Sequence, residues 1–164
     1  MTDPRAGFLL TRHWRDTPTG SEVVLWLATE QGPQRLVLPA QESVAFVPEA
    51  FRQQTEVLIR DERHTRIQSL ELKDFQRRPV FGLYCRSNRQ LQNLEKRLRE
   101  NGIPVYEADI RPPERYLMER FITAPVWFSG EVRGDSIVNA RLKPHPAYRP
   151  QFNWVSLDIE TTEH

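Results

Sequence analysis

The sequence holds a single cysteine, Cys85, in 164 residues. It can therefore build neither an intramolecular disulfide nor a cysteine-rich zinc site. Cys85 ends the apolar run Val80-Phe81-Gly82-Leu83-Tyr84-Cys85, the setting of a packed core residue, and nothing nearby marks it as an activated thiol. The four histidines, His13, His64, His145 and His164, have no metal-ligand spacing. With seven glycines in all, the chain has no glycine-rich phosphate loop and no Gly-x-Ser-x-Gly turn, so two common nucleotide and hydrolase signatures are missing. The start, Met1-Thr2-Asp3-Pro4-Arg5, lacks the uninterrupted apolar stretch of a signal peptide or membrane span; a cytoplasmic protein without a membrane partner is expected. A net charge of +1 says nothing by itself about nucleic acid.

What is present is a mixed α+β pattern. Phe8-Leu9-Leu10, Val23 to Leu27 and Leu36-Val37-Leu38 are apolar runs separated by turns at Asp16 to Gly20 and Gln31-Gly32-Pro33, which predicts an antiparallel meander. Ser43 to Val47 is a further short strand, and Pro48 suits the first position of a helix carrying Phe51, Thr55 and Leu58 on one face. From 80 to 122 the pattern is strand, helix, strand, helix, which implies an α/β unit with parallel pairing between the strands at 80 and 103. Val126-Trp127-Phe128 and Ile137 to Leu142 flank Arg133-Gly134-Asp135 as a hairpin. The proline-rich stretch Lys143 to Pro150 is unsuited to regular structure and is the best domain boundary.

Ser87 to Gly102 is the clearest helix. Ser87 and Gln90 fit a capping box, Leu91, Leu94 and Leu98 form an apolar stripe, and Asn101-Gly102 supplies the stop. Its other face carries Arg89, Lys96, Arg97 and Arg99, a candidate surface for phosphates, although Glu95 and Arg99 also make an ordinary i, i+4 pair. Between Lys73 and Arg120 there are eleven Lys and Arg against seven Asp and Glu, a local surplus of four.

The last residues carry the strongest chemical signal. Phe152, Trp154, Val155 and Leu157 lead into Asp158-Ile159-Glu160. In an extended strand Ser156, Asp158 and Glu160 share one face, which converges two hard oxygen ligands suited to Mg²⁺. Two-metal phosphoryl chemistry needs a third or fourth acid, and none follows before His164. The pair is half a site.

Asp158-Ile159-Glu160-Thr161-Thr162 resembles the first exonuclease motif of family-B DNA polymerases. Thr11 to Thr17, Gln41 to Phe46, Gly82 to Arg86, Glu95 to Glu100, Tyr106 to Thr123 and Ile137 to Pro146 extend the resemblance toward bacterial members of the polymerase II type. The resemblance implies a nucleotidyltransferase with 3′→5′ proofreading, acting in DNA replication, repair and lesion bypass. Its partners are template and primer DNA, deoxynucleotides and the remaining polymerase domains. It also implies that Asp158 and Glu160 are catalytic, Mg²⁺-binding residues of the complete protein, with no metal expected on this chain alone. The implied organisation is an N-terminal domain over 1–150, β-rich over 1–72, α/β over 73–124 and a hairpin with linker over 125–150. Residues 151–164 are then the first strand of an exonuclease domain continuing beyond the sequence, expected to fray after about Pro150 without its partner strands. On this reading the chain is a catalytically silent, template-side domain. The alternatives are a self-contained single-strand-binding module and a protein-interaction scaffold.

Overall fold

The computed structural model describes residues 3–160. The chain runs β1 (Arg5–Thr17), β2 (Gly20–Thr29), β3 (Gly32–Val37), β4 (Ser43–Pro48), a 3-10 turn (Glu49–Phe51), α1 (Arg52–Ile59), β5 (Thr65–Lys73), β6 (Pro79–Cys85), α2 (Asn88–Glu100), α3 (Pro112–Met118), β7 (Pro125–Arg133) and β8 (Ser136–Pro144). The fold class is mixed α+β, with strands dominant.

The expected meander is the first half of a closed barrel of order β1-β2-β3-β8-β7. All its pairings are antiparallel except β3 with β8, where Arg35 faces Ser136 and Leu36 faces Ile137. Five strands in this order, with one parallel closure, make an OB-type barrel. Alternation drives it: Val23, Leu25 and Leu27 of β2 are buried in the barrel interior with Leu36, Val126, Phe128 and Ile137. Tyr116, Leu117 and Ile122, on and just after α3, belong to the same core. The β7–β8 hairpin turns where expected, with Gly134 at φ +60°.

The second sheet has the order β4-β6-β5, all antiparallel. A bridge between Phe46 and Tyr106, with N–H to O distances of 3.0 and 2.8 Å, adds the stretch after α2 beside β4. Here the structure corrects the expected parallel pairing of the strands at 80 and 103: β6 lies between β4 and β5, and the stretch at 106 pairs with β4. The sequence of elements is thus β-α-β-β-α-β, a ferredoxin-like split unit. One of its faces is covered by the helices, with Phe81, Leu83 and Cys85 packed in a core with Ile59, Leu91, Leu94 and Leu98. Thr65–Lys73, which sequence reading placed with the β-rich first part, belongs to this second sheet.

Local signals set the helix ends. Ser87 Oγ accepts the Gln90 N–H at 3.1 Å, and α2 stops in a Schellman arrangement, with Gly102 at φ +73° and Ile103 N–H donating to Leu98 O at 3.0 Å. Helix α1 begins later than expected: Pro48 closes β4, and the 3-10 turn intervenes. Helix α3 ends at Met118 instead of continuing to 122. Phe121 turns left-handed at φ +53°, and Ile122 N–H returns to Leu117 O at 2.9 Å.

Residues 152–160 carry no regular structure; sequence reading places them as the first strand of a further domain and expects them to fray without its partner strands. Phe152 instead sets its ring edge-on against Phe8 at 5.5 Å.

Candidate nucleic-acid interface

Asp158 and Glu160 are both exposed on the extended tail. Without a strand there is no common face to hold their carboxylates together. Among the described residues no group of three or more His, Cys, Asp or Glu is placed to hold a metal ion. The two acids therefore do not by themselves make a Mg²⁺ site, and no chemical step follows from them here. Thr161 and Thr162 of the same motif lie outside the described residues.

The basic face of α2 is largely committed to the fold. Arg97 pairs with Glu62 at 2.9 Å and also donates to Leu58 O. Arg99 pairs with Glu95 at 2.8 Å and donates to Val105 O at 2.7 Å. Both clamp the helix to neighbouring chain, and each has a carboxylate beside it, so neither offers an uncompensated charge to a phosphate. Arg89 and Lys96 are exposed, with no carboxylate at ion-pair distance among the described residues. The four side chains do not form one basic surface.

The N-terminus of α2 is also occupied. Asp16, the penultimate residue of β1, accepts the N–H groups of Asn88 at 3.1 Å and Arg89 at 2.9 Å, and the Ser21 hydroxyl at 2.7 Å. Arg86 donates to Pro18 O at 3.1 Å. The β1–β2 turn, which in other barrels of this type contributes to oligonucleotide binding, is here spent on joining the two sheets.

Two surfaces escaped sequence reading. On the outer wall of the barrel, His13 and Arg15 of β1, Val24 and Trp26 of β2 and Arg35 of β3 alternate with the core residues and point outward. His13, Arg15, Glu22, Val24 and Arg35 line a shallow recess of about 210 Å³. Arg15 is balanced by Glu22 at 3.0 Å, whereas Arg35 donates to the Ser136 hydroxyl at 3.1 Å and has no carboxylate at ion-pair distance among the described residues. The second surface is the face of the second sheet turned away from α1 and α2, where Phe46 and Tyr84 stand on adjacent central strands and Arg115 of α3 lies over the Phe46 ring at 5.4 Å. A Cβ on Gly82 would lie 2.5 Å from the Tyr84 ring, so glycine lets that ring lie flat along the sheet. The Arg66 guanidinium sits 3.9 Å from the ring centroid and is held by Glu42 at 2.7 Å. The signals were in the sequence as alternation within β4 and β6. They could not be assigned to a face until the helices showed which side they cover.

Cys85 is fully buried, and burial pushes its thiol up to about 12, so it stays protonated and unreactive at neutral pH.

Comparison with known proteins agrees with this architecture. Residues 7–42 match the model of the DNA polymerase II N-terminal domain and residues 43–103 that of the DNA polymerase II insertion domain. The junction falls between the first three barrel strands and β4, so the matched insertion runs from β4 through the end of α2, all of the split unit but its bridged stretch at Tyr106, interposed before the barrel closes. DNA polymerase II of Escherichia coli (strain K12) is 62% identical over 160 residues, which span 98% of this chain and 20% of that protein. The chain thus spans about a fifth of the length of this relative. The structure of the family B DNA polymerase from the hyperthermophilic archaeon Pyrobaculum calidifontis aligns with a TM-score of 0.62 at 18% identity, covering 81% of this chain and 19% of that one. At that identity the likeness is one of fold. No helix among the described residues is long and apolar enough to cross a membrane. The chain belongs to the DNA polymerase II family and carries its N-terminal and insertion domains.

Proposed function

We propose that this chain is the template-side, non-catalytic part of a DNA-directed DNA polymerase with 3′→5′ proofreading, acting in the cytoplasm in DNA replication, repair and lesion bypass. The observation that carries this reading is the 62% identity over 160 residues to a DNA polymerase II. Its partners are the template and primer strands, deoxynucleotides and the remaining polymerase domains.

Within this reading the domain boundary lies near Pro150. Asp158 and Glu160 belong to a proofreading site whose other acids come from outside this chain. The complete set would hold Mg²⁺ at the terminal phosphodiester. The role of the present chain is positional: barrel and split sheet, locked together through Asp16 and α2, form a firm base from which the tail leaves at Pro150. Phe152 on Phe8 fixes its first step.

The test is made in the complete polymerase. Asp158→Ala and Glu160→Ala are expected to remove 3′→5′ degradation of single-stranded DNA while primer extension continues. Undiminished degradation in both variants would overturn the assignment of the two acids.

A further inference from the structure

The turn between β5 and β6 is rigid, basic and tipped by an aromatic ring. Asp74 Oδ1 accepts the N–H groups of Gln76 and Arg78, each at 2.9 Å, and Oδ2 accepts Arg78 Nε at 2.8 Å. Arg77 takes a left-handed backbone at φ +61°. This bracing leaves Phe75 wholly exposed, at 109% of its reference area. The turn contributes three cations, Lys73, Arg77 and Arg78, against one acid, Asp74. Only Arg78 is neutralised; Lys73 and Arg77 have no carboxylate at ion-pair distance among the described residues.

Beneath the turn, on the face of the split sheet turned away from α1 and α2, lies a cavity of about 450 Å³, with Arg115 of α3 over the Phe46 ring at 5.4 Å. Phe46 and Val80 of the central strands, Tyr106 of the bridged stretch and Leu72 line it, with Phe75 at its rim. Arg78 Nη2 donates to the Tyr106 hydroxyl at 3.1 Å, which fixes that ring. Glu107, also on the lining, is paired with Arg115 at 2.9 Å and adds no free negative charge.

We propose that this cavity is a binding site for an unstacked base of single-stranded DNA, with Phe75 stacking on a base and Lys73 and Arg77 taking the adjoining phosphates. Aromatic side chains beside a positively charged track are what sequence-tolerant single-strand binding requires. The open face of a split β-α-β-β-α-β sheet is also where such rings act in RNA-binding modules. The choice of occupant follows from charge: a turn with two unbalanced cations beside an apolar, aromatic recess complements a base with its phosphate. The choice of DNA rests on the function proposed above.

The experiment measures binding of a fluorescently labelled oligothymidylate to this 164-residue chain at low salt, with oligouridylate as a parallel arm. Phe75 is fully exposed, so Phe75→Ala leaves folding intact; it is expected to weaken DNA binding roughly tenfold. Lys73→Ala with Arg77→Ala is expected to lower the slope of log K against log salt by about 1.4, the loss of two single-strand phosphate contacts. Phe75→Trp is expected to bind and to lose fluorescence on stacking. The proposal is overturned by no binding, by binding that Phe75→Ala leaves within twofold, by binding confined to oligouridylate, or by binding that responds instead to Arg89→Ala and Lys96→Ala on α2. Failure here is distinct from failure of the polymerase reading, which is decided by exonuclease loss in the complete protein.

Discussion

The Asp16 carboxylate receives the backbone N–H of Arg89 at 2.9 Å and that of Asn88 at 3.1 Å, so a barrel residue caps a helix of the second sheet. Ser87 satisfies the next donor, Gln90 N–H, at 3.1 Å. A negative charge at the positive end of α2 is favourable in itself, and here it also crosses the junction between barrel and insertion. Asp16→Ala should therefore destabilise the chain by roughly 1–2 kcal/mol, the upper part of the range for lost helix caps. Asp16→Asn, which keeps an acceptor oxygen, should lose less. Urea unfolding of the three proteins checks the order; equal midpoints would show that the contact carries no energy.

Gly130 and Gly82 both leave no room for a side chain, but against different neighbours. A Cβ at Gly130 would lie 2.7 Å from Val138 O and 3.2 Å from Ala140 Cα, beside the irregular register of β7 and β8. At Gly82 it would meet chiefly the Tyr84 ring. Backbone cannot retreat and a ring can. Gly130→Ala should cost about 2 kcal/mol or more, toward the upper part of the overpacking range, and Gly82→Ala less. Thermal unfolding of the two variants measures the difference.

Phe121 holds a left-handed backbone, φ +53°, with 89% of its area exposed. Its ring contributes little burial, while its Cβ opposes the conformation that ends α3. Phe121→Gly should raise stability by about 1 kcal/mol, read as a higher urea midpoint. A fall would show that the exposed ring makes a stabilising contact.

Cys85 offers a pH test. Its thiol is held at about 12 by burial, against an unfolded value of about 8.5. The folded state keeps the proton longer, so this contribution to stability is fully present below about pH 8.5 and declines as pH rises toward 12. Urea midpoints followed from pH 8 to 11 should fall more steeply for the natural chain than for Cys85→Ala. At pH 8 the native thiol should also resist iodoacetamide.

What sequence reading recovered was local. The Ser87 cap, the Gly102 stop and the apolar stripe of α2, the meander and the Arg133-Gly134-Asp135 turn depend on residues a few positions apart, and all are present; of the capping box only the Ser87 half forms, because the Gln90 side chain donates to Arg63 O at 2.7 Å. What it missed depends on distant partners. Barrel closure requires Arg35 to meet Ser136, 101 residues along the chain, and no periodicity within either strand signals that meeting. The same distance hid the fate of the basic helix: Arg97 looked free because its partner Glu62 lies 35 positions away. The alternation through Asp158 was legible too, and the tail carries no regular structure after Pro150, which is the fraying expected of a strand whose partner strands lie outside this chain.

The central claim is that Asp158 and Glu160 are half of a proofreading site and that this chain alone is catalytically silent. The direct measurement is Mg²⁺-dependent degradation of 3′-labelled single-stranded DNA by the 164-residue chain beside its Asp158→Ala/Glu160→Ala variant. The account predicts no degradation by either, whereas robust degradation abolished by the double substitution would contradict it.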